Sequence, residues 1–96
     1  MQVKWLRKAL INLEDEINYI ARDNPQAAKS IAQKIWDASK LLAENPSMGR
    51  AGRVPGTREL IIPDTDYLLP YRANPKENSI EILRVVHCSR KPPKNW

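Results

Sequence analysis

A chain of ninety-six residues has room for one small domain with a single core, which excludes multidomain architectures and large cofactor-binding folds. Its formal net charge of +5 is uneven: residues 1–46 carry seven Lys/Arg against six Asp/Glu, and residues 47–96 carry nine against five. A basic C-terminal half is expected to meet nucleic acid or an acidic protein partner.

Cys88 is the sole cysteine, so an internal disulfide and a Cys-based metal site are excluded, and a reducing, cytoplasmic location is expected. The N-terminal run Met-Gln-Val-Lys-Trp-Leu-Arg-Lys lacks the apolar stretch of a signal peptide, and nothing in the sequence approaches a membrane span. No membrane partner is expected.

Residues 3–5 alternate briefly and predict a short opening strand. Leu6, Leu10, Leu13, Ile17 and Ile20 then recur at helical spacing, which predicts an amphipathic helix with Glu14, Asp15 and Glu16 towards its solvated side. Asp23-Asn24-Pro25 is a stop and a restart, because Asn or Asp accepts a bond from the next free N–H groups and Pro fits the first turn of a helix. A second helix is expected from about Pro25 to Glu44, with Ala28, Ile31, Ile35, Ala38 and Leu42 as its inner stripe and Trp36 beside it in a core or hairpin-edge role. So short a connection makes the two helices antiparallel neighbours.

Residues 47–56 hold all three glycines and read as a loop carrying Arg50 and Arg53, without the Gly-Lys-Ser/Thr pattern of a phosphate-cradling loop. From Thr57 the pattern becomes that of a sheet: a strand over 57–62, a turn at 64–66, a strand over 67–72, a polar hairpin loop over 74–78, and a buried β-branched strand through Ile80, Ile82, Val85 and Val86. Pro70 cannot donate to a ladder, so it either faces an unpaired side or sits at a bulge. The order β-α-α-β-β-β predicts an α+β fold: one domain over 1–96, with an N-terminal strand and an antiparallel helical hairpin packed on a curved, mostly antiparallel sheet.

The last strand delivers His87, Ser89, Arg90 and Lys91 to one edge of the fold before Pro92-Pro93 ends it. Arg50, Arg53, Arg58, Arg72, Arg90 and Lys91 are the candidate groups for binding an anionic target. Arg58, Arg72 and Arg84 form a cationic cluster opposite the helices if they emerge on one face. His87 and Cys88 are adjacent and would point to opposite faces, so they do not make a metal site, and no cofactor is expected.

The helical hairpin, the Asn-Pro and Gly-Arg of the loop, Gly56-Thr57-Arg58-Glu59-Leu60, Tyr67-x-x-x-Tyr71-Arg72 and Ile80-Glu81-Ile82-Leu83-Arg84-Val85-Val86-His87-x-x-Arg90 together resemble the RelE/ParE superfamily of bacterial toxins. The resemblance covers nearly the whole chain. It implies a small basic toxin neutralised in a heterocomplex by a cognate antitoxin, usually encoded beside it, whose extended or helical segment folds as it wraps the toxin.

That superfamily divides between ribosome-dependent mRNA endoribonucleases of the RelE kind and inhibitors of DNA gyrase of the ParE kind. RNA cleavage needs a group to take the 2′-OH proton, a cation for the phosphorane charge and an acid for the leaving oxygen. His87, Arg84, Arg72 and Arg58 are the catalytic candidates under that reading, with Glu59 as a weaker base. Nuclease relatives, however, commonly carry an inward-pointing Arg where this chain has Tyr67, and many carry a C-terminal Tyr where the last aromatic here is Trp96. The resemblance therefore implies a gyrase-poisoning toxin, the alternatives being a RelE-like endoribonuclease acting on the ribosome and mRNA, and a non-toxic antitoxin-binding module.

Overall fold

The structure, a computed structural model, describes residues 1–89. In chain order its elements are β1 (Gln2–Trp5), α1 (Arg7–Asp23), α2 (Pro25–Leu41), β2 (Arg50–Ala51), β3 (Arg58–Ile61), β4 (Tyr67–Asn74), a single 3-10 turn (Pro75–Glu77), β5 (Ser79–Ile82) and β6 (Val86–His87). The six strands form one sheet in the order β1-β5-β4-β3-β2, with β6 beside the other end of β4. Every pairing is antiparallel except that of β1 with β5. This is the expected α+β arrangement of a helical hairpin on a mostly antiparallel sheet.

Asn24 makes the hairpin. Its backbone N–H donates to the Ile20 carbonyl at 2.9 Å and closes α1, while its side-chain oxygen accepts from Ala27 N at 3.1 Å and opens α2. Pro25 occupies the first turn of α2, where a missing donor costs nothing. The second helix stops at Leu41, three residues earlier than expected: the backbone N–H groups of Leu42, Ala43 and Glu44 turn to the carbonyls three residues back, and Asn45 closes the end by donating from its backbone and its side-chain amide to the Leu41 carbonyl.

The core lies between the hairpin and one face of the sheet. Ile35, Ala38 and Leu42 from α2 and the region just beyond it meet Leu60, Leu69, Tyr71, Ile80 and Ile82. On α1 and its N-cap the expected stripe holds at Leu6, Leu13, Ile17 and Ile20 but not at Leu10. Ala9 is fully buried, with Leu13 and Ile20 packed against the core, whereas Leu10 is half exposed. One position is about 100° round a helix, and the small Ala9 lets α1 settle closely on that side.

Pro70 sits at a bulge. Tyr71 pairs with Ile82 and Leu68 with Val86, so residues 83–85 stand opposite only Leu69 and Pro70. The Pro70 carbonyl accepts from Leu83 N at 2.8 Å, which puts its proton-less nitrogen on the same, bulged side. The expected single last strand is thereby split into β5 and β6, with Arg84 in the interruption.

Candidate functional site

The 47–56 segment is not the free loop expected from its composition. Residues 50–51 add as β2 to the edge of β3, and three side chains from the sheet hold the approach to that strand. The Tyr71 hydroxyl, fully buried, donates to the Pro46 carbonyl at 2.7 Å and accepts from Gly49 N at 2.9 Å. Arg58 donates to the Gly49 carbonyl at 2.9 Å. Glu59, 2% exposed, accepts from the Arg50 guanidinium at 3.1 and 3.2 Å through Oε1 and from Arg53 N at 3.2 Å through Oε2.

The structure redistributes the arginines. Arg58 is paired across the ladder with Tyr71, so Arg72, the next residue of β4, belongs to the opposite face. The same-face cluster of Arg58, Arg72 and Arg84 does not form: Arg58 turns to loop carbonyls on the helix side, and Arg72 donates to Glu81 at 2.6 Å on the other. That hydrogen bond, reinforced by the Arg72 charge against a smaller opposing effect of burial, holds the Glu81 carboxyl below its usual range. Lys4 on β1 stands beside Glu81 in the register and pairs with Glu77 at 3.1 Å.

Arg84 differs from these. It is half-buried in the bulge and makes no side-chain hydrogen bond or ion pair among the described residues. Bulges re-aim side chains, and this one releases an arginine from the ladder. His87 closes the same end of the sheet, edge-on to the Tyr67 ring at 5.0 Å between centroids, with Nδ1 accepting from Ser89 N at 3.2 Å and Nε2 3.9 Å from Asp66. The Tyr67 hydroxyl in turn donates to Glu16 of α1 at 2.9 Å. Arg90 and Lys91 lie outside the described residues.

The sheet thus brings Arg50, Arg53 and Glu59 together, and separately Arg72 with Glu81, but it does not converge His87, Arg84, Arg72 and Arg58 on one point. Glu59, nominated as a weaker base, is committed to Arg50 and to a backbone N–H. Two surfaces were missed from sequence. One is a groove of about 420 Å³ between α2 and β3, floored by Ala38 and Leu60 and rimmed by the exposed Leu41, Met48 and Ile61. The other is a cleft of about 340 Å³ beside β1 that includes Trp5 and Trp36. Trp36 is half exposed, a hairpin-edge rather than a core residue. Only the packing shows that these apolar side chains are exposed and share a groove.

Comparison with known proteins agrees with this architecture. Over 92 residues the chain is 38% identical to a Sinorhizobium fredii protein named "Putative toxin Y4kP", covering 96% of this chain and 93% of that one. It is 29% identical over 89 residues to Toxin RelE2 of Caulobacter vibrioides, covering 93% and 97%. A solved structure described as the chromosomal ParDE TA system from P. aeruginosa superposes with a TM-score of 0.81 at 30% identity, covering 91% of this chain and 95% of that chain. Residues 3–92 match the family described as the ParE toxin of the type II toxin-antitoxin system, parDE. With sequence and overall fold in agreement, the chain belongs to the ParE family of type II toxin-antitoxin toxins.

Proposed function

We propose that this toxin arrests bacterial growth by binding and poisoning DNA gyrase, and that a cognate antitoxin neutralises it by forming a heterocomplex in the cytoplasm. The observation that carries the choice of target is the scattering of the groups that RNA cleavage would need. Arg58 and Arg72 are committed on opposite faces of the sheet, and among the described residues the partners of His87 are Tyr67, Ser89 and Asp66, none of them an arginine. General acid–base catalysis on a phosphodiester requires such groups within hydrogen-bond reach of one site. A binding role makes no such demand. Arg84, unpaired among the described residues, supplies a cation for an acidic or phosphate-bearing surface on the target.

A supercoiling assay with purified gyrase and relaxed plasmid tests the reading. Titration of the toxin is expected to block supercoiling and accumulate cleaved DNA, and added antitoxin to restore activity. Growth arrest without any effect on gyrase at large toxin excess would overturn it and direct attention to mRNA on the ribosome. Free expression without growth arrest would overturn both toxic readings in favour of a binding module.

A further inference from the structure

Two hydrogen bonds fasten the interruption between β5 and β6 to the start of α1. Leu6 N donates to the Ile82 carbonyl at 3.0 Å, and Val85 N donates to the Asn12 side-chain oxygen at 3.4 Å. Arg84 is therefore carried between two points of attachment to that helix. Lys8 precedes Asn12 by one helical turn and lies on the same side of α1. Arg7 comes immediately before it, and both are exposed. The fold thereby groups three cations, one of them far from the other two in sequence.

None of these three side chains has a hydrogen bond or ion pair among the described residues. The cations on the strands are engaged instead: Lys4 with Glu77, Arg50 with Glu59 and Arg72 with Glu81. Glu81, the carboxylate of β5 closest in sequence to the interruption, is thus already committed. The first turn of α1 holds no acidic residue, so the positive end of the helix adds to the field of Arg7 and Lys8 instead of opposing it. Like charges gathered without a counter-charge work against the compact state and are relieved by a negative partner from outside.

The uniform sign of the patch favours a phosphate backbone over an acidic protein surface. Protein–protein contacts are depleted of charge at their centres, whereas nucleic-acid interfaces are strongly positive. Two of the three groups are guanidinium forks, whose paired donors match phosphate oxygens. Contacts of this kind fix a protein's position on a duplex without reading its sequence. We propose that Arg7, Lys8 and Arg84 bind the phosphate backbone of duplex DNA, whatever its sequence, and hold the toxin against the DNA on which gyrase acts. This inference rests on the proposed action on gyrase and assigns the DNA, rather than an acidic surface of the enzyme, as the partner of the bulge.

The test is an NMR titration of the full toxin with a short DNA duplex over a series of salt concentrations, paired with binding of the toxin to DNA-free gyrase. Amide shifts are expected to concentrate at residues 7–12 and 82–85, with equal affinity for two unrelated duplex sequences. Arg84→Ala and Lys8→Ala, each melting with the parent chain, are expected to make the slope of log affinity against log salt shallower by about one. Each is expected to weaken binding roughly tenfold at low salt. Arg84→Lys, which keeps the charge, and Lys29→Ala, at the far end of the helical hairpin, are expected to leave the slope unchanged. A duplex that moves no resonance of the patch, or salt slopes unaltered in both alanine variants, would overturn the DNA assignment even where gyrase is inhibited. Loss of binding to DNA-free gyrase in Arg84→Ala, without DNA binding by the parent chain, would assign the patch to an acidic protein surface instead. DNA binding through the patch with gyrase unaffected would uphold the patch and overturn the gyrase reading.

Discussion

Gly49 occupies a position that only a residue without a side chain can fill against Tyr71. A Cβ at Gly49 would lie 2.7 Å from Tyr71 Cε1 and 2.8 Å from both the Tyr71 hydroxyl oxygen and the Glu59 carbonyl. Closeness of this kind allows the buried phenol to bond both Gly49 N and the Pro46 carbonyl, so the sheet grips the segment that leads into β2.

Gly49→Ala is therefore expected to cost about 1–3 kcal/mol, since neither a packed ring nor a strand carbonyl can yield cheaply. In a domain of this size each kcal/mol lowers the melting temperature by roughly 4–8 °C, which differential scanning calorimetry would read directly. Tyr71→Phe keeps the ring but strands a buried donor and an acceptor, at a cost of about 1–3 kcal/mol. A melting temperature unchanged in both variants would show that the segment is held by other contacts.

The Arg50–Glu59 pair is asymmetric, with a side-chain exposure of 55% for the arginine against 2% for the carboxylate. Removing the exposed partner leaves a buried charge with one backbone N–H, whereas removing the buried one leaves an arginine that water can solvate. Arg50→Ala is accordingly expected to destabilise by about 2–3 kcal/mol and Glu59→Gln by about 1 kcal/mol, measured by urea denaturation. Equal costs would mean that Glu59 is served chiefly by Arg53 N.

Because the folded state holds the Glu81 carboxyl below its usual range, folding favours its ionised form. Its contribution to stability is present above the ordinary carboxylate range and is lost as pH falls through the lowered value. In Arg72→Met the Glu81 resonance is expected to titrate closer to the ordinary range in an NMR pH series, and the acid limb of the stability curve is expected to be less steep. An unmoved titration would place the cause elsewhere than Arg72.

Pro70 is fully buried with its nitrogen towards the bulge. Replacing it by alanine creates an N–H opposite residues 83–85, where the ladder is interrupted. Although proline is normally a poor strand residue, Pro70→Ala is expected to destabilise by about 1–3 kcal/mol, from an unpaired donor and a more flexible unfolded chain. A gain in the chemical denaturation midpoint would show that the bulge can close around the new donor.

Arg84→Ala is expected to leave thermal stability nearly unchanged and to raise the toxin concentration needed for half-inhibition of gyrase about tenfold, the loss of one charge-assisted contact. Unaltered inhibition would remove the bulge from the target interface.

The helical hairpin was legible because its determinants are local: apolar spacing along each helix, and an Asn-Pro pair that can end one helix and start the next. Pro70 announced an interrupted ladder for the same reason, through a missing donor, without deciding between an unpaired side and a bulge. The faces of Arg58 and Arg72 were not legible, because they depend on the register between β3 and β4, and a shift of one residue inverts every side chain. Glu59 offered no signal of its partner in Arg50, which reaches it only because a glycine-containing loop becomes strand β2. The exchange of Leu10 for Ala9 on the buried side of α1 likewise reflects how closely a particular pair of layers can approach, which periodicity alone does not encode.

The parallel pairing of β1 with β5 also sets an order in time. During synthesis β1 leaves the ribosome before both helices, yet the strand that receives it follows those helices and three further strands. The helical hairpin, built from neighbouring residues, can form while the sheet is still waiting, since distant pairings carry the larger closure entropy. Until Ser79–Ile82 have been made, β1 has no sheet to join and Tyr71 has only part of its framework. A chain cut short before that point lacks the completed sheet, so the fold itself withholds a finished toxin until β5 has been made.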